Sequence, residues 1–122
     1  MFVGTDIVEV TRIEAAIARG QMDFLKRVFT ENELIKINLA EPDYERASGF
    51  WAAKESIVKA IGLGFRQGIL FQDAEITHDE YGCPSFILTG KLKAILEAKQ
   101  ISQIALSISH CRTHAIAVTI IS

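Results

Sequence analysis

With 122 residues, 49% of them hydrophobic, and a mean hydropathy of +0.23, the chain suits one domain and is apolar enough that part of its surface is expected to face another subunit. A net charge of −2 gives no basic field for nucleic acid, and no apolar run reaches the ~18 to 20 residues of a membrane span. Two cysteines make no disulfide framework, and the N-terminus has neither the basic nor the apolar region of a signal peptide, so a reducing, cytoplasmic setting is expected.

No repeat, low-complexity tract or long linker divides residues 1–122. Residues 2–10, FVGTDIVEV, are β-rich and partly alternating, which reads as a strand with Asp6 inside it. Ile13, Ala16 and Ile17 followed by Gly20 read as a short helix and its stop. Phe24, Leu25, Val28 and Phe29 suggest a second helical piece. Thr30 and Glu33 form a capping box for a helix to about Leu39. Pro42 sits near the start of the next helix, which runs to about Ile61 and is broken by GLGFRQG. Ala74–His78 and Ser85–Leu88 are strands joined by the turn DEYGCP. Lys91–Lys99 reads as a helix. Residues 103–110 and 114–121 are strands in a hairpin through CRT. Helices and antiparallel hairpins in separate runs point to an α+β fold with a long central helix.

The central helix carries FWAAKESIVKA, residues 50–60. Glu55 and Lys59 are four apart, and the plain reading is a solvated pair worth ~0.3 to 0.5 kcal/mol. Alanines and Trp51 bracket the charges, however, and a partly desolvated carboxylate needs a cation. Asp6 poses the same problem within its strand, where aspartate is disfavoured. Its plain readings are a turn, a bulge or an edge charge. If Asp6 and Glu55 converge, they make a site for a hard cation such as Mg²⁺, which is bound by one or two carboxylates plus substrate phosphates. Lys59 and the glycines of Gly62-Leu63-Gly64 would suit those phosphates, although such glycines more often only end a helix. Lys54 has no assigned task and is open to the cleft, a subunit interface or solvent.

Three histidines and two cysteines match no compact zinc spacing. His110 ends an apolar strand as a single polar group. Arg12 and Arg19, seven apart, share a helix face beside apolar residues; they read either as a solvated face or as a docking surface for an acidic partner.

In order and separation, the segments GTDIVEV, FWAAKESIVKAIGLG, ILFQDAEI, YGCPSF and SISHCRTHAIAVTII resemble the holo-acyl-carrier-protein synthase family, the small 4′-phosphopantetheinyl transferases. The first two segments are the specific ones, and the resemblance spans essentially the whole chain. It implies the 4′-phosphopantetheinyl transferase fold. It also implies transfer of the phosphopantetheine arm of coenzyme A to a serine of apo acyl carrier protein in fatty acid biosynthesis, with adenosine 3′,5′-bisphosphate leaving. On this resemblance Asp6 and Glu55 are Mg²⁺ ligands and Lys59 the pyrophosphate-facing lysine; since the serine proton must go somewhere, Glu55, directly or through a metal-bound water, is the preferred general base. Gly82 to Pro84 and His110 line the coenzyme site, with Gly62 and Gly64 beside the phosphates, while Arg12 belongs to the helix that docks the carrier protein, with Arg19 on the same face. A homotrimer with sites between subunits is implied as well. Two departures stand out. Many relatives carry arginine where this chain has Phe50, with Arg46 one turn earlier as a replacement, and Gly-Thr-Gly where this chain has Leu63 in the middle. The alternative is a coenzyme A or nucleotide-binding module of the same fold without catalysis.

Overall fold

In the computed structural model, which describes residues 1–20 and 22–122, alternation in the first segment produces β1 (Phe2–Glu9), with Gly4 and Val8 buried and Val3, Thr5 and Ile7 exposed. Val10 leads directly into α1 (Val10–Ala18), so the strand ends one residue before its sequence signal. Two short helices follow, α2 (Met22–Val28) and α3 (Glu31–Ile37). The Thr30–Glu33 capping box forms as expected: each residue's side chain accepts a hydrogen bond from the other's backbone N–H. Asn38 ends α3 in the left-handed conformation, φ 61°, two residues before the end the sequence suggests.

The long helix α4 (Tyr44–Ala60) starts from Asp43, whose carboxylate accepts from the Arg46 amide at 3.0 Å. Pro42 lies just outside, and the aspartate is the cap. After a short 3₁₀ turn (Phe71–Asp73) come β2 (Ala74–His78), β3 (Pro84–Leu88), α5 (Gly90–Ala98), β4 (Ile104–His110) and β5 (His114–Ile121). Strands β1, β5 and β4 form an antiparallel sheet in that order, with Asp6 opposite Ala117 and His110 opposite Ala115. Strands β2 and β3 form a separate hairpin sheet. The fold is α+β, and no helix of the described residues is long and apolar enough to cross a membrane.

Helix α4 is the hub. It packs on one face of the β1–β5–β4 sheet and also meets α1, α3 and β2. Ala47, Ala52, Ala53, Ile57 and Val58 are fully buried along it. Gly4 permits the closest approach: a Cβ there would overlap Ser56 O and the Ala60 amide. Ser56 and Thr119 share a hydrogen bond of 2.6 Å beneath the same contact.

Lys54 goes neither to solvent nor to a subunit interface. Its side chain is fully buried, and its ammonium lies 2.9 Å from Glu33 Oε1. It also donates to Phe71 O at 3.0 Å and Ala74 O at 2.8 Å. Burial lowers the lysine pKa, and the adjacent Glu33 carboxylate opposes that shift. Helix spacing placed Lys54 away from Glu55, but the partner lies in α3, outside any local pattern. Removing one member of a buried pair strands the other's charge. Lys54→Met is expected to destabilise the fold by about 3–5 kcal/mol in urea unfolding, whereas Lys93→Met on exposed α5 should change it by less than ~0.5 kcal/mol.

Candidate active site

Three of the sequence-selected residues come together where β1 crosses the C-terminal half of α4. Gly4 brings the strand against the helix, and Asp6, two residues on, points to the same face. Lys59 Nζ donates to Asp6 Oδ1 at 2.8 Å. The aspartate side chain is only 12% exposed and the lysine 50%. The plain reading of a Glu55–Lys59 pair is thereby replaced: the lysine's ammonium is held by the strand carboxylate. Glu55 is half-buried beside them, and its pKa is raised by desolvation first and then by Asp6, with Lys59 opposing. A carboxylate whose proton affinity is raised by a second carboxylate beside it marks a place where a cation relieves repulsion. Among the described residues no third His, Cys, Asp or Glu joins them. A two-carboxylate set with room for substrate oxygens fits Mg²⁺ and does not fit a metal that needs a full protein cage.

A second group gathers at the other end of α4. A cleft of about 520 Å³ is lined by Gly82 of the β2–β3 turn, Pro84 at the start of β3, His110 at the end of β4, and Arg46, Gly49 and Phe50 of α4. Lys36 of α3 and His78 of β2 complete its cationic and aromatic lining. His110 Nδ1 lies 2.7 Å from Glu45 Oε1. The Phe50 ring, nearly fully buried, faces His78 with centroids 6.0 Å apart. Burial lowers the His78 pKa, and Lys36 and Arg46 lower it further, with Asp79 opposing. Arg46 thus shares the cleft with Phe50, the position where the family pattern is broken. Lys36 and His78 escaped the sequence reading. Lys36 is an ordinary helix lysine and His78 an ordinary strand end until the hairpin brings them together.

Gly62 and Gly64 do not line the cleft; they follow Lys59 at the end of α4. Both adopt positive φ, 79° and 62°, and their amides donate to Lys59 O and Val58 O, closing the end of α4. Arg12 and Arg19 converge on a separate groove of about 500 Å³, floored by Phe24 and Trp51. Trp51 stacks on Phe71 with centroids 5.1 Å apart, which fixes that floor.

Because the folded-state pKa of Glu55 lies above its ordinary value, ionising it costs stability as pH rises past the usual glutamate range. Glu55→Gln is therefore expected to melt at a higher temperature than the parent at pH 7. The difference should vanish below about pH 4, where the carboxyl is protonated folded and unfolded. Thermal melts across that range check the sign.

The family model for the 4′-phosphopantetheinyl transferase superfamily matches residues 2–119. The holo-[acyl-carrier-protein] synthase of Verminephrobacter eiseniae is 40% identical over 121 residues, covering 99% of this chain and 92% of that protein. The crystal structure of holo-[acyl-carrier-protein] synthase from Neisseria meningitidis superposes with a TM-score of 0.88 at 31% identity, over 99% of this chain and 97% of that one. The Helicobacter pylori enzyme in complex with coenzyme A gives a TM-score of 0.84 at 31% identity, over 98% and 99%. The order of motifs, the fold and these likenesses agree, and the chain belongs to the 4′-phosphopantetheinyl transferase superfamily.

Proposed function

We propose that this chain transfers the 4′-phosphopantetheine arm of coenzyme A to a serine of an apo acyl carrier protein, in a Mg²⁺-dependent reaction serving fatty acid biosynthesis. The observation that carries this reading is the convergence of Asp6, Glu55 and Lys59 from a strand and a helix far apart in sequence. A binding module without catalysis would need no such pair of carboxylates. The relatives named holo-[acyl-carrier-protein] synthase support the substrate pair, and the Helicobacter enzyme is a complex with coenzyme A.

The chemistry joins two anionic molecules and builds negative charge on a pyrophosphate as a serine oxygen attacks its β-phosphorus. Asp6 and Glu55 would hold a divalent cation, which when bound supplies Lewis-acid neutralisation of that charge. Lys59 keeps its ammonium half-exposed and anchored by Asp6, ready to meet a phosphate oxygen without crossing the site. Glu55, directly or through a water, is the group placed to take the serine proton. The Lys36–Arg46–His110 cleft is the place for the coenzyme's nucleotide end, with Gly82 and Pro84 letting backbone approach the ligand. The arginine-lined groove over Trp51 is the docking surface for the acidic carrier protein, oriented by Arg12 and Arg19.

Within one chain the carboxylates and the cleft do not meet. Arg46 and Glu55 are separated along α4 by about 13 Å of helix, and none of Asp6, Glu55 or Lys59 lines the cleft. The outer face of the β1–β5–β4 sheet is apolar and uncovered: Val3 is 61% exposed, Ile7 64%, Ile116 41% and Ile120 40%. These features support a homotrimer in which one chain's carboxylates face its neighbour's cleft. Both cysteines are free and exposed, in keeping with a cytoplasmic setting.

Mass spectrometry tests the reaction. Apo acyl carrier protein incubated with the chain, coenzyme A and Mg²⁺ should gain the mass of one phosphopantetheine arm. Glu55→Gln should stay folded and lose at least ~10²-fold in rate. No mass gain with the parent chain, or near-normal turnover in the variant, contradicts the reading.

A further inference from the structure

The β2–β3 hairpin, which supplies one wall of the cleft, is held on its inner edge by a buried ion pair. β2 pairs with β3 from Ala74–Leu88 to His78–Pro84. On its other edge, Ala74 O accepts from Lys54 Nζ at 2.8 Å and the Ile76 amide donates to Glu33 Oε2 at 2.8 Å. Glu33 Oε1 takes the ammonium at 2.9 Å and the Thr30 amide at 2.9 Å. One lysine and one glutamate, both side chains fully buried, therefore stand where a neighbouring strand would satisfy the backbone. No buried polar side-chain atom among the described residues is left without a partner.

The pair also sits at the root of both cleft walls. Glu33 is three residues before Lys36 on α3, and Lys54 is one turn after Phe50 on α4; Lys36 and Phe50 line one wall. β2 runs from the pair to His78, and the hairpin goes on through Gly82 to Pro84; these three residues are the hairpin's share of the cleft lining. We propose that Lys54 and Glu33 are positioning residues that set the distance between the two walls and so the affinity for the coenzyme, separately from the Asp6–Glu55–Lys59 chemistry. The proposal rests on reading this cleft as the coenzyme site.

Calorimetric titration of the full chain with coenzyme A separates the two claims. If the parent chain does not bind, the reading of the cleft fails. If it binds, Glu33→Gln, nearly isosteric, should weaken binding about tenfold through misplacement of the walls. Its KM for carrier protein should stay unchanged. Leu96→Ala, in the separate cluster under α5, should lower the melting temperature while leaving coenzyme affinity alone. Lys54→Met should follow Glu33→Gln. In the unmodified chain, saturating coenzyme A should slow hydrogen exchange of the Ile76 amide more than that of amides in α5, since coupling between pair and cleft is reciprocal. Parent-like coenzyme affinity in a folded Glu33→Gln, or no preferential protection of the Ile76 amide, overturns the proposal.

Discussion

The contact on which the rest depends is the backbone of β1 laid against α4 at Gly4. Any side chain there would strike the helix backbone, so the strand can lie close only because Gly4 has none. That approach sets everything along the shared face. Val8 enters the core, Asp6 reaches Lys59, and Glu55 feels a second carboxylate. The same helix then carries Phe50 and Arg46 to the cleft at its other end. One helix therefore carries Glu55 and Lys59 of the Asp6–Glu55–Lys59 group toward one end and lines the cleft at the other, and the strand contact fixes the first of them.

Satisfying polar groups in this small core takes an unusual route. Among the described residues the β2–β3 hairpin has no third strand, and its inner backbone edge would be costly to bury bare. The Lys54–Glu33 pair takes that place and ties α3, α4, the 3₁₀ turn and β2 together. A pair of this kind contributes less through its own attraction than through the cost of losing one member, because desolvation offsets most of the Coulomb gain. The arrangement is an anchor of geometry more than a reservoir of stability.

Legibility in the sequence followed the range of the interactions. The capping box at Thr30–Glu33, the break after α4 and both hairpins are local events, and residue type alone announces them. The pairing of Asp6 with the α4 charges was readable only as a condition, because 53 positions separate Asp6 from Lys59 and the link is made by strand packing. Lys54 was unreadable: its partner lies 21 positions earlier (54 − 33), in a helix whose glutamate already had a visible local task as a cap. Gly62 and Gly64 had a legible local role: three glycines in seven residues announce the break, and their amides close the end of α4. Lys36 and His78 carried no signal, since nothing in their own segments distinguishes them from solvated residues.

Two half-sites on one chain, with an apolar sheet face left uncovered, make the subunit boundary the decisive feature of the proposed enzyme. The most direct measurement mixes two damaged chains. One carries Glu55→Gln with an intact cleft; the other carries Arg46→Ala and His110→Ala with intact carboxylates. Each alone should be nearly inactive on apo acyl carrier protein. Mixed oligomers, formed by co-expression, should recover activity because one boundary in each joins an intact cleft to intact carboxylates. Mixed oligomers that stay as inactive as their parents would show that the site is complete within a single chain.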